Sequence, residues 1–142
     1  AGLDTEYSPE IKRQVWEKVV LNSMLSPISA LTGMTMRQVL EYAPTREIVL
    51  ELAREAIEVA KCCGICLPGK FLDFCVSYLS KAGHHKPSML VDVETTGRTE
   101  IEFLNGKICE YGAKNKVPVP FHRALSALIQ GLEFKLAKNR PT

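Results

Sequence analysis

Long apolar runs are missing from this chain of 142 residues. Nothing in it approaches the roughly 18 consecutive apolar residues that a membrane-spanning helix needs. Charge of one sign is missing too: 18 Lys and Arg stand against 16 Asp and Glu, a net charge of +2. That balance argues against a chain built mainly to coat nucleic acid phosphates. Strand signals are almost absent, since Val117 to Val119 is short and Pro118 breaks it. There is no glycine-rich turn of the dinucleotide type and no phosphate loop, nor a strand on which to mount either. By itself the chain should therefore not bind a nucleotide in the usual way. No repeat, low-complexity tract or flexible linker divides it. Ala1 to Glu6 is polar and acidic, so no secretory leader is expected at this start. The first seven residues read as a stub, as if the chain began partway through a longer protein.

What is present fits one globular domain. The chain is 46% hydrophobic and 24% charged, close to the globular norm. Its length is near the roughly 150 residues expected of a single domain. The five cysteines, Cys62, Cys63, Cys66, Cys75 and Cys109, are odd in number, and three crowd into one stretch. That is not a secreted disulfide framework, so a reducing cytoplasm is expected. Cys63 and Cys66 form a CxxC, but zinc would want a second ligand pair and thioredoxin chemistry would want a preceding strand. These thiols read as small apolar fillers at a helix end, with no metal site.

The apolar spacing is helical almost throughout, which predicts an all-α domain of about six or seven helices. Ser8-Pro9 starts a helix with Ile11, Val15 and Val19 on its apolar face, and Pro27 interrupts or kinks it. Thr35 caps a short helix from Met36 to about Tyr42. Pro44-Thr45 opens the clearest helix, with Ile48, Leu52, Ala56 and Val59 or Ala60 inward and Gly64 as its left-handed stop. Pro68-Gly69 leads into a helix that ends near Gly83. Ser88 caps a short helix that Thr95-Thr96-Gly97 breaks. Thr99 with Glu102 fits a capping box for a helix running to about Tyr111. Gly106 inside it suggests close approach by a backbone or ligand, with mere tolerance equally allowed. After the extended joint Val117 to Pro120, a last helix runs from about Phe121 to near Ala137. His84 and His85 fall in a solvated joint, and His122 reads as a surface residue near a helix start.

Two polar clusters carry candidate chemistry. Lys18, Asn22 and Ser26 are spaced i, i+4, i+8, which puts them on one helical stripe beside the apolar face. That arrangement suits a pocket wall, and equally a polar surface edge with a snorkelling lysine. The second cluster runs from Lys86 to Asp92 and from Gly97 to Gly106. Ser88 at a helix start can offer its hydroxyl and nearby N–H groups to a carboxylate. Glu100 lies in a first turn, where the helix dipole favours negative charge. Ordinary capping would also explain Ser88, Thr99, Glu100 and Glu102 singly.

Trp16 to Asn22 leading into Ser26-Pro27-Ile28-Ser29-Ala30-Leu31, and Ser88-Met89-Leu90-Val91-Asp92 with Arg98 to Gly106, resemble the C-terminal helical domain of ketopantoate reductase (2-dehydropantoate 2-reductase). Pro120 before the last helix fits as well. The resemblance spans nearly the whole chain in order and spacing. It implies the 6-phosphogluconate-dehydrogenase-like helical fold over residues 1–142, with an N-terminal Rossmann domain that binds NADPH missing from this chain. It further implies Lys18 as proton donor, Asn22, Ser26 and Ser88 as substrate contacts, and Glu100 at the cofactor and reacting hydroxyl. The family usually has asparagine where Ser26 stands, another asparagine at Met36 and often glutamine at Val91.

The implied reaction is NADPH-dependent reduction of 2-dehydropantoate to pantoate, on the route to pantothenate and coenzyme A. Hydride arriving at a keto carbon makes an alkoxide that needs a proton. A partly desolvated lysine suits that role, because burial makes an ammonium a stronger acid and its charge steadies the oxyanion. The isolated chain is expected to be inactive. Ser26 and Met36 keep open a related NAD(P)-dependent reductase of another 2-keto acid. The absent nucleotide site keeps open a non-catalytic interaction or dimerisation module, since all-α domains can pair through apolar helix faces.

Overall fold

The computed structural model describes residues 8–140. The all-α expectation holds, and among the described residues there is no strand. The helices are α1 (Pro9–Ser23), α2 (Ser26–Thr32), α3 (Met36–Glu41), α4 (Ala43–Cys62), α5 (Phe71–Ser80), α6 (Ser88–Thr95), α7 (Asn105–Lys114) and α8 (Pro120–Lys138). A 3-10 turn at Ile101–Phe103 precedes α7. Counting the two-turn α2 by itself brings the expected six or seven helices to eight. The stub read at residues 1–7 lies outside the described residues.

Local chemistry sets most boundaries. The Ser8 hydroxyl accepts the Ile11 N–H at the start of α1. Thr35 and Gln38 form a reciprocal capping box at α3. Gly64, just past α4, has φ +78°, a backbone state that side chains with a Cβ resist.

The main core surrounds α4. Its Val49, Leu52, Ala53, Ala56, Val59 and Ala60 are fully buried against Trp16, Val20, Phe71, Cys75, Ile108 and Tyr111. The small Ala53, Ala56 and Ala60 let neighbouring helices approach closely, while each larger side chain contributes about 1.5–3 kcal/mol by leaving water. Trp16 and Tyr111 meet edge to face at 5.4 Å, which joins α1 to α7. A second, smaller core gathers Ala30 of α2, Met89 of α6, Ile101 of the 3-10 turn and Ile129 of α8.

Four local expectations are corrected. Ser26 does not continue the stripe of Lys18 and Asn22, because α1 ends at Ser23 and α2 starts as a separate helix after Met24 and Leu25. The segment after Thr99 is not one helix. The Thr99 hydroxyl takes the Ile101 N–H instead of that of Glu102, and the chain turns at Leu104 (φ −111°, ψ −91°) before α7. Ser88 is the first residue of α6, not its cap, a place that Pro87 holds. His122 is fully buried. His84 is exposed, as read, and its ring nitrogen lies 3.0 Å from the Thr35 hydroxyl.

Candidate functional site

Pro27 shapes the site. In a continuous helix the carbonyl of Ser23 would accept the N–H of residue 27, which proline lacks. The helix therefore breaks over Met24 and Leu25. Asn22 is half-buried in the last turn of α1, and Ser26 is buried at the first residue of α2. The Ser23 carbonyl left over does not stay unsatisfied: the side-chain amide of Asn105 donates to it at 3.0 Å. Ser23 and Asn105 are both fully buried. Asn105 is the first residue of α7, just past the turn that Glu100 leads into. One hydrogen bond thus ties the corner between α1 and α2 to the Glu100 segment.

The second core does the rest of the positioning. Met89 follows Ser88, Ile101 follows Glu100, and Ala30 lies one turn beyond Ser26. These three apolar neighbours pack together with Ile129. The buried partner beside each polar residue leaves Ser88 and Glu100 exposed. Lys18 is also exposed, one turn before Asn22. Among the described residues neither Lys18 nor Glu100 is held in an ion pair. Among the described residues nothing buries Lys18, so the desolvation that a proton-donating lysine needs is not supplied there. Clefts of 680, 760 and 730 Å³ are lined by none of Lys18, Asn22, Ser26, Ser88 or Glu100. Lys18, Ser88 and Glu100 are exposed, Asn22 is half-buried and Ser26 is buried.

Two polar centres were missed by pattern reading. Asn105 is one. The other is Glu55, whose carboxylate accepts the backbone N–H groups of Phe121 (2.9 Å) and His122 (3.0 Å) and lies 3.1 Å from His122 Nδ1. Glu55 thus caps α8 from a different helix. The signal was there: Val119-Pro120 opens a helix with no side chain able to cap it.

Among the described residues no group of three or more His, Cys, Asp or Glu side chains is placed to hold a metal. Burial, with a smaller push from Glu17, raises the Cys75 thiol to about 12, and burial also pushes Cys109 up. Neither suits thiolate chemistry. No helix among the described residues is long and apolar enough to cross a membrane.

Residues 10–133 match the ketopantoate reductase PanE/ApbA C-terminal family. The chain is 30% identical to a 2-dehydropantoate 2-reductase of Pyrococcus horikoshii over 133 residues, covering 94% of this chain and 44% of that protein. It therefore spans less than half the length of the curated relatives it matches. Among solved structures, a ketopantoate reductase from Ralstonia eutropha superposes with TM-score 0.83 at 26% identity, over 88% of this chain and 42% of that one. A 2-dehydropantoate 2-reductase from Methylococcus capsulatus gives TM-score 0.81 at 27% identity, over 92% and 41%. A family match over nearly the whole chain, carried by the same helical architecture, makes this chain a member of the ketopantoate reductase family that corresponds to its C-terminal part.

Proposed function

We propose that this chain is the substrate-side wall of an NADPH-dependent 2-dehydropantoate 2-reductase. The carrying observation is the small core of Ala30, Met89, Ile101 and Ile129, which seats the elements bearing Ser26, Ser88 and Glu100 on one support. The family membership gives that face its chemistry.

In this reading a Rossmann domain elsewhere in the longer protein holds the cofactor. The described residues fit such a division: they offer an exposed face and no strand or glycine-rich cradle for a dinucleotide. A bound reduced nicotinamide supplies a hydride to the keto carbon of the substrate. Lys18 Nζ gives a proton to the oxygen at which charge develops, and water later returns the proton to Lys18. Covering of the open face strips water from Lys18 at that moment. Asn22 and Ser26 orient the substrate from the α1–α2 corner. The Ser88 hydroxyl and the free N–H groups of the first turn of α6 receive its carboxylate. Glu100 meets the cofactor and the reacting hydroxyl, and it holds Lys18 charged once the face is closed. Accurate placement contributes as much as the proton does.

Ser26 favours a second reading, a reductase of a different 2-keto acid, because a hydroxyl reaches less far than the amide usual in the family. Rates of NADPH and NADH oxidation by the longer protein over a panel of 2-keto acids separate the two. The proposal expects 2-dehydropantoate with NADPH to give the highest kcat/KM. Better turnover of another keto acid replaces the substrate. No turnover of any of them removes the reductase reading.

A further inference from the structure

We infer that Asn105 is a positioning residue of this same site, an inference that rests on the reductase reading. Its amide substitutes for the backbone N–H that Pro27 cannot supply, donating at 3.0 Å to the carbonyl of Ser23. Ser23 sits between Asn22 and the break that leads to Ser26, so this bond sets the angle at which α1 hands over to α2. Lys18 and Asn22 lie before the corner and Ser26 after it. Asn105 itself follows the 3-10 turn that begins next to Glu100, and Ile101 anchors that turn in the second core. The one bond therefore fixes the proton-donating and substrate-orienting segment relative to the Glu100 segment, across 82 positions of sequence.

The rest of the amide supports this role. Asn105 is fully buried, and its carbonyl oxygen has no hydrogen-bond partner among the described residues. A buried amide with one half unused is costly. An apolar side chain at 105 would remove that cost, but it would leave the Ser23 carbonyl unsatisfied in its place. The donor is what the fold retains. Ser23 reinforces the same corner, since its hydroxyl donates to the Val20 carbonyl at 3.1 Å while its carbonyl accepts from Asn105.

The test uses the longer protein that carries this chain, with wild type, Asn105→Ala and the isosteric Asn105→Asp assayed side by side and rates normalised to folded protein. The inference expects kcat for the keto acid to fall about tenfold or more in both variants, as misplacement of reacting groups does. The KM for NADPH should stay unchanged. The Asn105→Asp variant should recover activity relative to wild type as pH falls, because the introduced carboxyl can donate to Ser23 only when protonated. Folded variants with wild-type kcat, or an Asn105→Asp pH profile parallel to wild type, overturn the inference. Failure of both variants to fold assigns Asn105 a purely structural role and overturns it as well. An inactive wild type sinks the reductase reading itself, whereas an active wild type with active variants sinks only the role of Asn105.

Discussion

The carboxylate of Glu55 takes two backbone donors and one imidazole nitrogen from the start of α8, with its side chain only 10% exposed. Removing one partner of a buried polar pair strands the others, so Glu55→Ala should lower the unfolding free energy by about 3 kcal/mol. Urea unfolding of the purified chain measures it, and a loss below about 1 kcal/mol, the surface-pair range, would contradict the capping role. The residue was easy to misread. Glu55 lies among the charged Glu47, Glu51, Arg54 and Glu58, between the inward positions of α4. Nothing local distinguishes it from them, because its partners arrive from 66 and 67 positions away. The same distance hid His122. Cys75 gives a second test at this scale. The unfolded thiol ionises near 9.0 and the folded one near 12. Below 9 both states hold the proton. Between the two values only the folded state does, so stability falls as pH rises through that window. Chemical denaturation from pH 8 to 10.5 should show the decline, and Cys75→Ala should flatten it. Near pH 8 a thiol reagent should label exposed Cys62 and Cys66 quickly and Cys75 only on unfolding.

Helices were legible wherever the determinants are local. Ser8, Thr35, Pro44 and Gly64 act within four residues, and those boundaries were read correctly. The corner at Pro27 was half legible: proline announces a break, but not that the side chain of Asn105 repairs it. The stretch after Thr99 was misread because its capping pattern competes with packing, and Ile101 is drawn into the second core. Gly106 was the glycine singled out for close approach, yet a Cβ there would meet only ordinary contact at 3.4 Å. Gly112 is a position tight against backbone. A Cβ would come within 3.0 Å of the Val117 carbonyl oxygen and 3.2 Å of Val119, where the chain folds back on α7. Gly112→Ala should thus cost about 1–3 kcal/mol, as overpacking does. Gly131, inside α8 with nothing within 4 Å, should behave oppositely. Gly131→Ala should add about 0.5–1 kcal/mol through helix propensity. Thermal unfolding of the two variants gives shifts of opposite sign if the packing of α7 is as described. Equal signs contradict it.

At the scale of the whole molecule, the chain corresponds to 44% of a 2-dehydropantoate 2-reductase to which it is similar, and Lys18, Ser88 and Glu100 are exposed. A lysine in water is a poor place to hold a proton for a single alkoxide, since solvent supplies protons just as readily and screens the charge. The geometry makes sense as one wall of a cleft. The fold around that wall was readable because apolar spacing reports burial. The meeting of the elements that carry Ser26, Ser88 and Glu100 was not, because it depends on four apolar residues distant in sequence packing together. Resemblance to the family supplied what spacing alone could not.

In the proposed reaction Lys18 delivers the proton. Its most direct test is kcat for 2-dehydropantoate reduction by the longer protein, compared between wild type and Lys18→Ala at saturating NADPH. If Lys18 is the proton donor, kcat falls about a hundred- to ten-thousand-fold, the range for loss of a general acid, with the protein still folded. A Lys18→Ala protein that turns over at the wild-type rate contradicts it.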